Sequence, residues 1–307
     1  MVAGYIDKGH SDVVKGIFII LVFISHFQGY VSNAGGWTAN LFLGQLMVAM
    51  FFFYSGFGVK ESISHKENYL SKIPTRRILT TLLNFDVAVL AYVALNLLLG
   101  VPMCKAQLMS AFIGWDSVGN SNWYVFVILL CYVIAYISRG KLLLMTGLMI
   151  AAMVVLSFYK PAFWYDTFLC FAAGGVFSRY KTTIERIGEK YYWWCIMALL
   201  VLFVALSMSP IGVRGLVRNF RAVAFCLVVV ALTMKFNLKS PYLEWLGRNL
   251  FPLYIYQRIP MIIVDHFDHA GLATGRAFVW LGICFGTTVM IALAYPRWRI
   301  KLNEVRR

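Results

Sequence analysis

Ten apolar runs, each close to the length a helix needs to cross a bilayer, occupy almost the whole chain. They fall near 13–31, 39–59, 78–99, 123–138, 141–158, 161–178, 191–208, 221–236, 242–264 and 276–295, those at 123–138 and 221–236 being short. Of the 307 residues, 61% are hydrophobic and 13% charged, against about 45–50% apolar and about 25% charged in a soluble domain. Too little polar surface exists to cover such a core in water, so the surrounding solvent must be lipid. The expectation is an all-α polytopic membrane protein of about ten transmembrane helices, folded as a single domain over residues 1–307.

Positive charge alternates between the connections. Lys60, Lys66, Lys72, Arg76 and Arg77 follow span two, Arg139 and Lys141 follow span four, and Arg179, Lys181, Arg186 and Lys190 follow span six. Lys235 and Lys239 follow span eight, and the tail carries Arg297, Arg299, Lys301, Arg306 and Arg307. The intervening connections at 32–38, 100–122 and 159–160 hold only Lys105 and Lys160. This is the positive-inside pattern, and with Lys8 on the same side it puts both termini in the cytoplasm. One connection breaks it, because Arg214, Arg218 and Arg221 fall outside. The glycines and Pro102 in 100–122 mark that stretch as an outer loop with room for a short helix. Trp37, Trp115, Trp123, Trp164 and Trp298 lie near span ends, where an interfacial belt places them.

The net charge of +15 follows from these loops and excludes a nucleic-acid-binding role, since no basic soluble surface with interleaved aromatics exists to carry one. Cys104, Cys131, Cys170, Cys195, Cys226 and Cys284 contain no C-x-x-C pair, and all but Cys104 lie within apolar runs. They read as small core residues, and no disulfide or metal site is expected. The first apolar run has no small-residue cleavage site and reads as a span, not a signal peptide.

Polar side chains inside lipid are costly and mark function by default. In span one, Asp12 and Lys15 are three apart and can pair. His26, eleven residues beyond Lys15, returns to within about 20° of the same face, about 16 Å along the axis. One face thus carries a charged pair at the inner rim and an imidazole deep in the membrane, suited to general-base work. The bland alternatives stay open: a packed, hydrogen-bonded His26 and a snorkelling Lys15.

The stretch S-D-V-V-K-G-I-F-I-I-L-V-F-I-S-H-F, with a basic residue ten positions before His26, resembles the opening of the acyltransferase 3 family, bacterial membrane O-acyltransferases that modify envelope polysaccharides and related sugars. F-F-F-Y-S-G-F-G at 51–58, R-R-I-L at 76–79 and N-W-Y at 122–124 resemble its later motifs in order. L-G-R-N-L-F-P-L-Y-I-Y-Q-R-I-P at 246–260 resembles its L-G-x-x-S-x-x-L-Y-L-x-H-x-P. Two departures stand out: Lys15 where arginine is usual, which weakens bidentate recognition of phosphate or carboxylate, and Gln257 in place of the late histidine.

The resemblance implies a multi-pass protein of the bacterial cytoplasmic membrane that transfers an acyl group, commonly acetyl, from cytoplasmic acyl-CoA to a hydroxyl of a carbohydrate or lipid-linked sugar. No bound cofactor is expected; acyl-CoA is a co-substrate. His26 would be essential, as general base or acyl relay, with Asp12 and Lys15 beside it in the catalytic set. Lys72, Arg76 and Arg77 offer cations to the polyanionic donor, and Ser55, Gly56 and Gly58 permit a close approach by its thin arm. The same cations can serve topology alone, and Ser55 and Gly56 can serve helix packing. Trp123, Tyr124, Gln257 and Arg258 form the expected acceptor set, with Arg258 alternatively paired to Asp86 or Asp166. Asp265, His266, Asp268 and His269 look metal-like only on paper, since they sit at a span end. Arg214, Arg218 and Arg221 form either a basic patch for an anionic acceptor or a set paired with lipid headgroups, Asp265 and Asp268. A secondary transporter or flippase of a sugar-like or anionic substrate is the alternative from another class. Lys15, Asp86 and Arg258 would then line a path, although no paired interrupted helices mark two halves.

Overall fold

The computed structural model describes residues 5–35, 43–208, 214–272 and 275–302. Trp37, Arg306 and Arg307 lie outside them. Among the described residues the regular structure is all helical, with no strand. The helices are α1 (Lys8–Gly35), α2 (Leu43–His65), α3 (Tyr69–Ile73), α4 (Thr80–Leu98), α5 (Lys105–Ala111), α6 (Asn122–Ile137) and α7 (Leu142–Tyr159). They continue as α8 (Leu169–Arg179), α9 (Lys181–Met208), α10 (Arg214–Thr233), α11 (Pro241–Arg248), α12 (Leu250–Tyr256), α13 (Arg258–Leu272) and α14 (Ala277–Ala294). Seven helical stretches among the described residues are long and apolar enough to cross a membrane, and α6 is a shorter apolar helix. The chain is a multi-pass α-helical membrane protein.

Helix α2 is apolar all round, as a central helix must be. Of its span 61% is buried, against 11% for the apolar part of α9 at the periphery. Phe51, Phe52 and Phe53 are fully enclosed. Close packing of α2 on α8 depends on two glycines: a Cβ on Gly56 would lie 1.9 Å from the Phe171 carbonyl oxygen, and one on Gly174 would lie 2.0 Å from that of Phe53. Helix α1 meets α11 in the same way, with Gly16 against the Leu243 carbonyl and Gly247 against that of Asp12, at 2.1 and 1.8 Å. In lipid, where apolar burial does not drive helices together, backbone approach of this kind holds a bundle.

Two expected spans depart from regular helices. The run near 161–178 begins with a 3-10 turn at Ala162–Trp164 and becomes α-helical only from Leu169. At 11 residues, α8 rises about 16 Å, too little to cross a bilayer alone. The run near 242–264 is broken twice, after Arg248 and after Tyr256. Each break stands four residues before a proline, Pro252 and Pro260, whose rings exclude the preceding turn's carbonyl from helical hydrogen bonding. The connection expected after span six is helical as well: α9 starts at Lys181 and kinks at Tyr191. The loop 100–122 contains α5 as its short helix.

Two bundle ends result. At one, the basic end, Lys60 Nζ donates to the Gly140 carbonyl at 3.3 Å, Ser178 Oγ donates to Glu61 at 2.7 Å and Tyr192 donates to Ala231 at 2.9 Å. The C-terminal segment is tied there too. Asn84 donates to Thr80 and Ile300 carbonyls and accepts from Tyr295 Oη and the Ile300 N–H, all within 3.0 Å. Replacing Asn84 by leucine should strand those groups at about 1–3 kcal/mol each, lowering the unfolding midpoint of detergent-solubilised protein.

Candidate active site

At the basic end two cavities of about 580 and 450 Å³ share Lys8, Asp12, Lys15 and Ser55 as walls. The larger adds Tyr54, Gly58, Lys66 and Arg77, and the other adds Tyr124, Tyr132, Arg248 and Tyr254. Lys15 stands at their junction, 3.1 Å from the buried Asp12 carboxylate and over the Tyr54 ring at 5.6 Å. Arg77 donates to Tyr69 Oη at 3.0 Å and lies over the Tyr132 ring. A π-helical segment, Pro74–Leu79, joins α3 to α4. Such wide turns shift side-chain register and recur at functional sites. Here Arg77 lines the cavity while its neighbour Arg76 is exposed away from it. Cations therefore outnumber carboxylates around this space, where Glu61 and Asp12 are the acidic members.

Toward the other end a separate cavity of about 250 Å³ is walled by His26, Ser25, Gln45, Trp123 and Phe163 with apolar neighbours. The His26 ring is half-buried and makes no hydrogen bond to any described residue, so its nitrogens are free to meet a ligand. Two aromatic faces and three small or polar groups converge there, a lining suited to a polyhydroxylated ring. Arg258 lies within electrostatic reach of His26. Its Nε donates to Tyr30 Oη at 3.2 Å, its guanidinium lies over that ring, and no described carboxylate pairs with it. Neither the Asp86 nor the Asp166 pairing considered for Arg258 forms.

The structure separates the expected residues into two groups. Asp12, Lys15, Ser55, Arg77 and Tyr124 line the basic-end cavities, and His26 and Trp123 line the other. Trp123 and Tyr124, adjacent on α6, thus serve different cavities. Four groups of expected residues are placed apart from these cavity walls. Gly56 is packed against α8 and is not part of a cavity wall; Gly58, whose Cβ would meet nothing within 4 Å, supplies the open space instead. Lys72 and Arg76 lie off the cavities. Gln257 is fully buried, donating to the Tyr254 carbonyl at 2.9 Å, and lines none of the three cavities. The basic patch of Arg214, Arg218 and Arg221 is not three free cations. Arg218 pairs with the buried Asp166 at 2.6 Å, and the Arg214 side chain lies outside the described residues.

Pairing of that patch with Asp265 and Asp268 is likewise not seen, since Asp265 meets His269 at 2.7 Å and Asp268 accepts from Trp280 at 2.9 Å. No cluster of metal-ligating residues occurs among the described residues. Removing Arg218 should strand a buried carboxylate and cost up to about 3 kcal/mol, toward the low end for a pair whose arginine is partly exposed. Asp166→Asn should cost less, and unfolding in detergent measures both. Sequence reasoning missed Lys8, Lys66 and Arg248 as cavity walls, and Gln45, Phe163 and Tyr254. Of these, Arg248 and Tyr254 stand within a recognised motif.

A family profile described as an acyltransferase domain matches residues 10–296. No curated protein and no solved structure matches the chain. The profile covers nearly every helix and includes both walls of the His26 cavity. A multi-pass helical bundle with a cation-lined cavity at one end and an unpartnered imidazole above it is thereby placed: the chain belongs to the acyltransferase 3 family and is a membrane acyltransferase.

Proposed function

We propose that the protein is an O-acyltransferase of the bacterial cytoplasmic membrane, taking an acyl group, acetyl in the simplest case, from cytoplasmic acyl-CoA and giving it to a carbohydrate hydroxyl. The observation that carries this reading is the division of the interior. Cations wall the basic end, and the His26 imidazole, which makes no hydrogen bond to a described residue, stands in a small aromatic and polar cavity beyond it. By the positive-inside rule the basic end faces the cytoplasm, and there Lys8, Lys15, Lys66 and Arg77 meet the donor's phosphates. Trp123 and Phe163 hold the acceptor's ring. His26 removes the hydroxyl proton as the hydroxyl oxygen bonds to the thioester carbonyl carbon. The carbon–sulfur bond then breaks, and the proton passes from His26 to the departing thiolate, giving ester and free CoA. Asp12 and Lys15 act on the donor, because they line the basic-end cavities and not that of His26.

Neutralising Arg77 should raise KM for acyl-CoA about tenfold with little change in kcat, as loss of uniform binding does. The same change at Arg76, which lines none of the three cavities, should have a smaller effect. Steady-state kinetics in proteoliposomes distinguishes the two. The reading itself is tested by mass spectrometry of envelope glycans from cells carrying the wild-type protein or none. Acyl esters that vanish with the protein support it; identical glycan acylation in both contradicts it.

A further inference from the structure

One side chain of the basic-end cavity touches a wall of the other cavity. Tyr254, on the short helix α12 between the two proline-induced breaks, walls the basic-end cavity. Its ring also stands edge-on to the His26 ring, with centroids 6.3 Å apart, and His26 is a wall of the other cavity. Tyr124 backs it at 4.9 Å, and Phe52 backs Tyr124 at 5.0 Å. Tyr254 is fully enclosed, yet its hydroxyl makes no hydrogen bond of ordinary geometry. The Ser121 hydroxyl is its polar neighbour. Helix α12 has seven residues and is set off from α11 by the non-helical backbone of Asn249.

We infer that Tyr254 is a partition between donor and acceptor compartments, displaced by the incoming acyl arm, and that it sets the length of acyl group the protein accepts. This rests on the donor and acceptor assignment made above. An acyl group that must pass between Tyr254 and Tyr124 and then share about 250 Å³ with an acceptor ring has room for a short chain. Longer chains are rejected at this ring, so Tyr254 is a specificity-determining residue whose bulk, not its hydroxyl, does the selecting.

The test uses the graded series Tyr254→Phe, Tyr254→Leu and Tyr254→Ala in proteoliposomes, comparing hexanoyl-CoA with acetyl-CoA in direct competition. The expected ratio of hexanoyl to acetyl transfer is within twofold of wild type for phenylalanine and rises through leucine to at least tenfold for alanine. A flat ratio across the variants that retain a wild-type melting profile overturns the proposal, and leucine decides if alanine does not fold. A second measurement does not depend on acyl transfer. The thiol introduced by His26→Cys is challenged from the basic side with a small charged methanethiosulfonate, and parallel samples without that substitution correct for the native cysteines. Adding Tyr254→Ala should speed its modification at least tenfold, and an unchanged rate overturns the partition. If the wild-type protein uses no acyl-CoA at all, the donor assignment fails while the thiol measurement still decides the role of Tyr254.

Discussion

Replacing His26 by alanine should lower acyl transfer about 10²–10⁴-fold, the range contributed by a positioned general base, while the protein inserts and melts as wild type does. The stability half of this expectation follows from geometry. His26 makes no hydrogen bond to a described residue and borders a cavity, so its removal strands no partner and enlarges a space already present. A histidine retained only for packing would show the reverse, lost stability and retained turnover. His26→Ala should depress kcat and kcat/KM together, because proton removal matters only in the transition state. Acid quenching of wild-type protein mixed with radiolabelled acetyl-CoA separates base from relay. A base leaves no label on the protein, whereas a relay leaves label that His26→Ala abolishes.

Valine at Gly16 or at Gly247 should destabilise the bundle by about 3 kcal/mol or more, the upper range for overpacking. Each added Cβ would fall 1.8–2.1 Å from a backbone carbonyl of the facing helix, and a backbone has no rotamer by which to retreat. The helices must separate, which moves Lys15, next to Gly16, and Arg248, next to Gly247, so donor use should fall with stability. The two sites share one contact. The double variant should therefore cost less than the sum of the singles, since the first separation already makes room for the second. Additive losses in thermal unfolding would mean that the two close approaches are not relieved by one separation of the helices.

The motifs were legible in the sequence as positions, and the structure divides them by physical role. The 3.6-residue period puts Lys15 and His26 on one helix face, and the two side chains line different cavities. The glycines of the same motifs cannot be interpreted without a facing helix. Gly56 serves α8 and Gly58 the cavity, although they are two residues apart, because a 200° rotation about the axis takes them to different sides. The broken ninth span was present in the sequence as Pro252 and Pro260, each dictating a stop four residues earlier, but its apolar composition concealed it. Phe163, Gln45 and Lys8 carried no signal, because their role arises only where separate elements converge. The three-arginine loop was read either as an acceptor patch or as a set paired with lipid headgroups, Asp265 and Asp268, since nothing local announces that Arg218 reaches Asp166, 52 positions earlier in the chain.

Sidedness tests the account most directly. Sealed vesicles containing the purified protein in one orientation, with the acceptor glycan enclosed on the face away from the 60–77 loop, are given radiolabelled acetyl-CoA on the 60–77 side only. The account predicts acylated glycan in the lumen, abolished by His26→Ala and slowed by loss of the Arg77 charge. Acylation that proceeds only when acetyl-CoA and glycan are on the same face, or that survives His26→Ala, would contradict it.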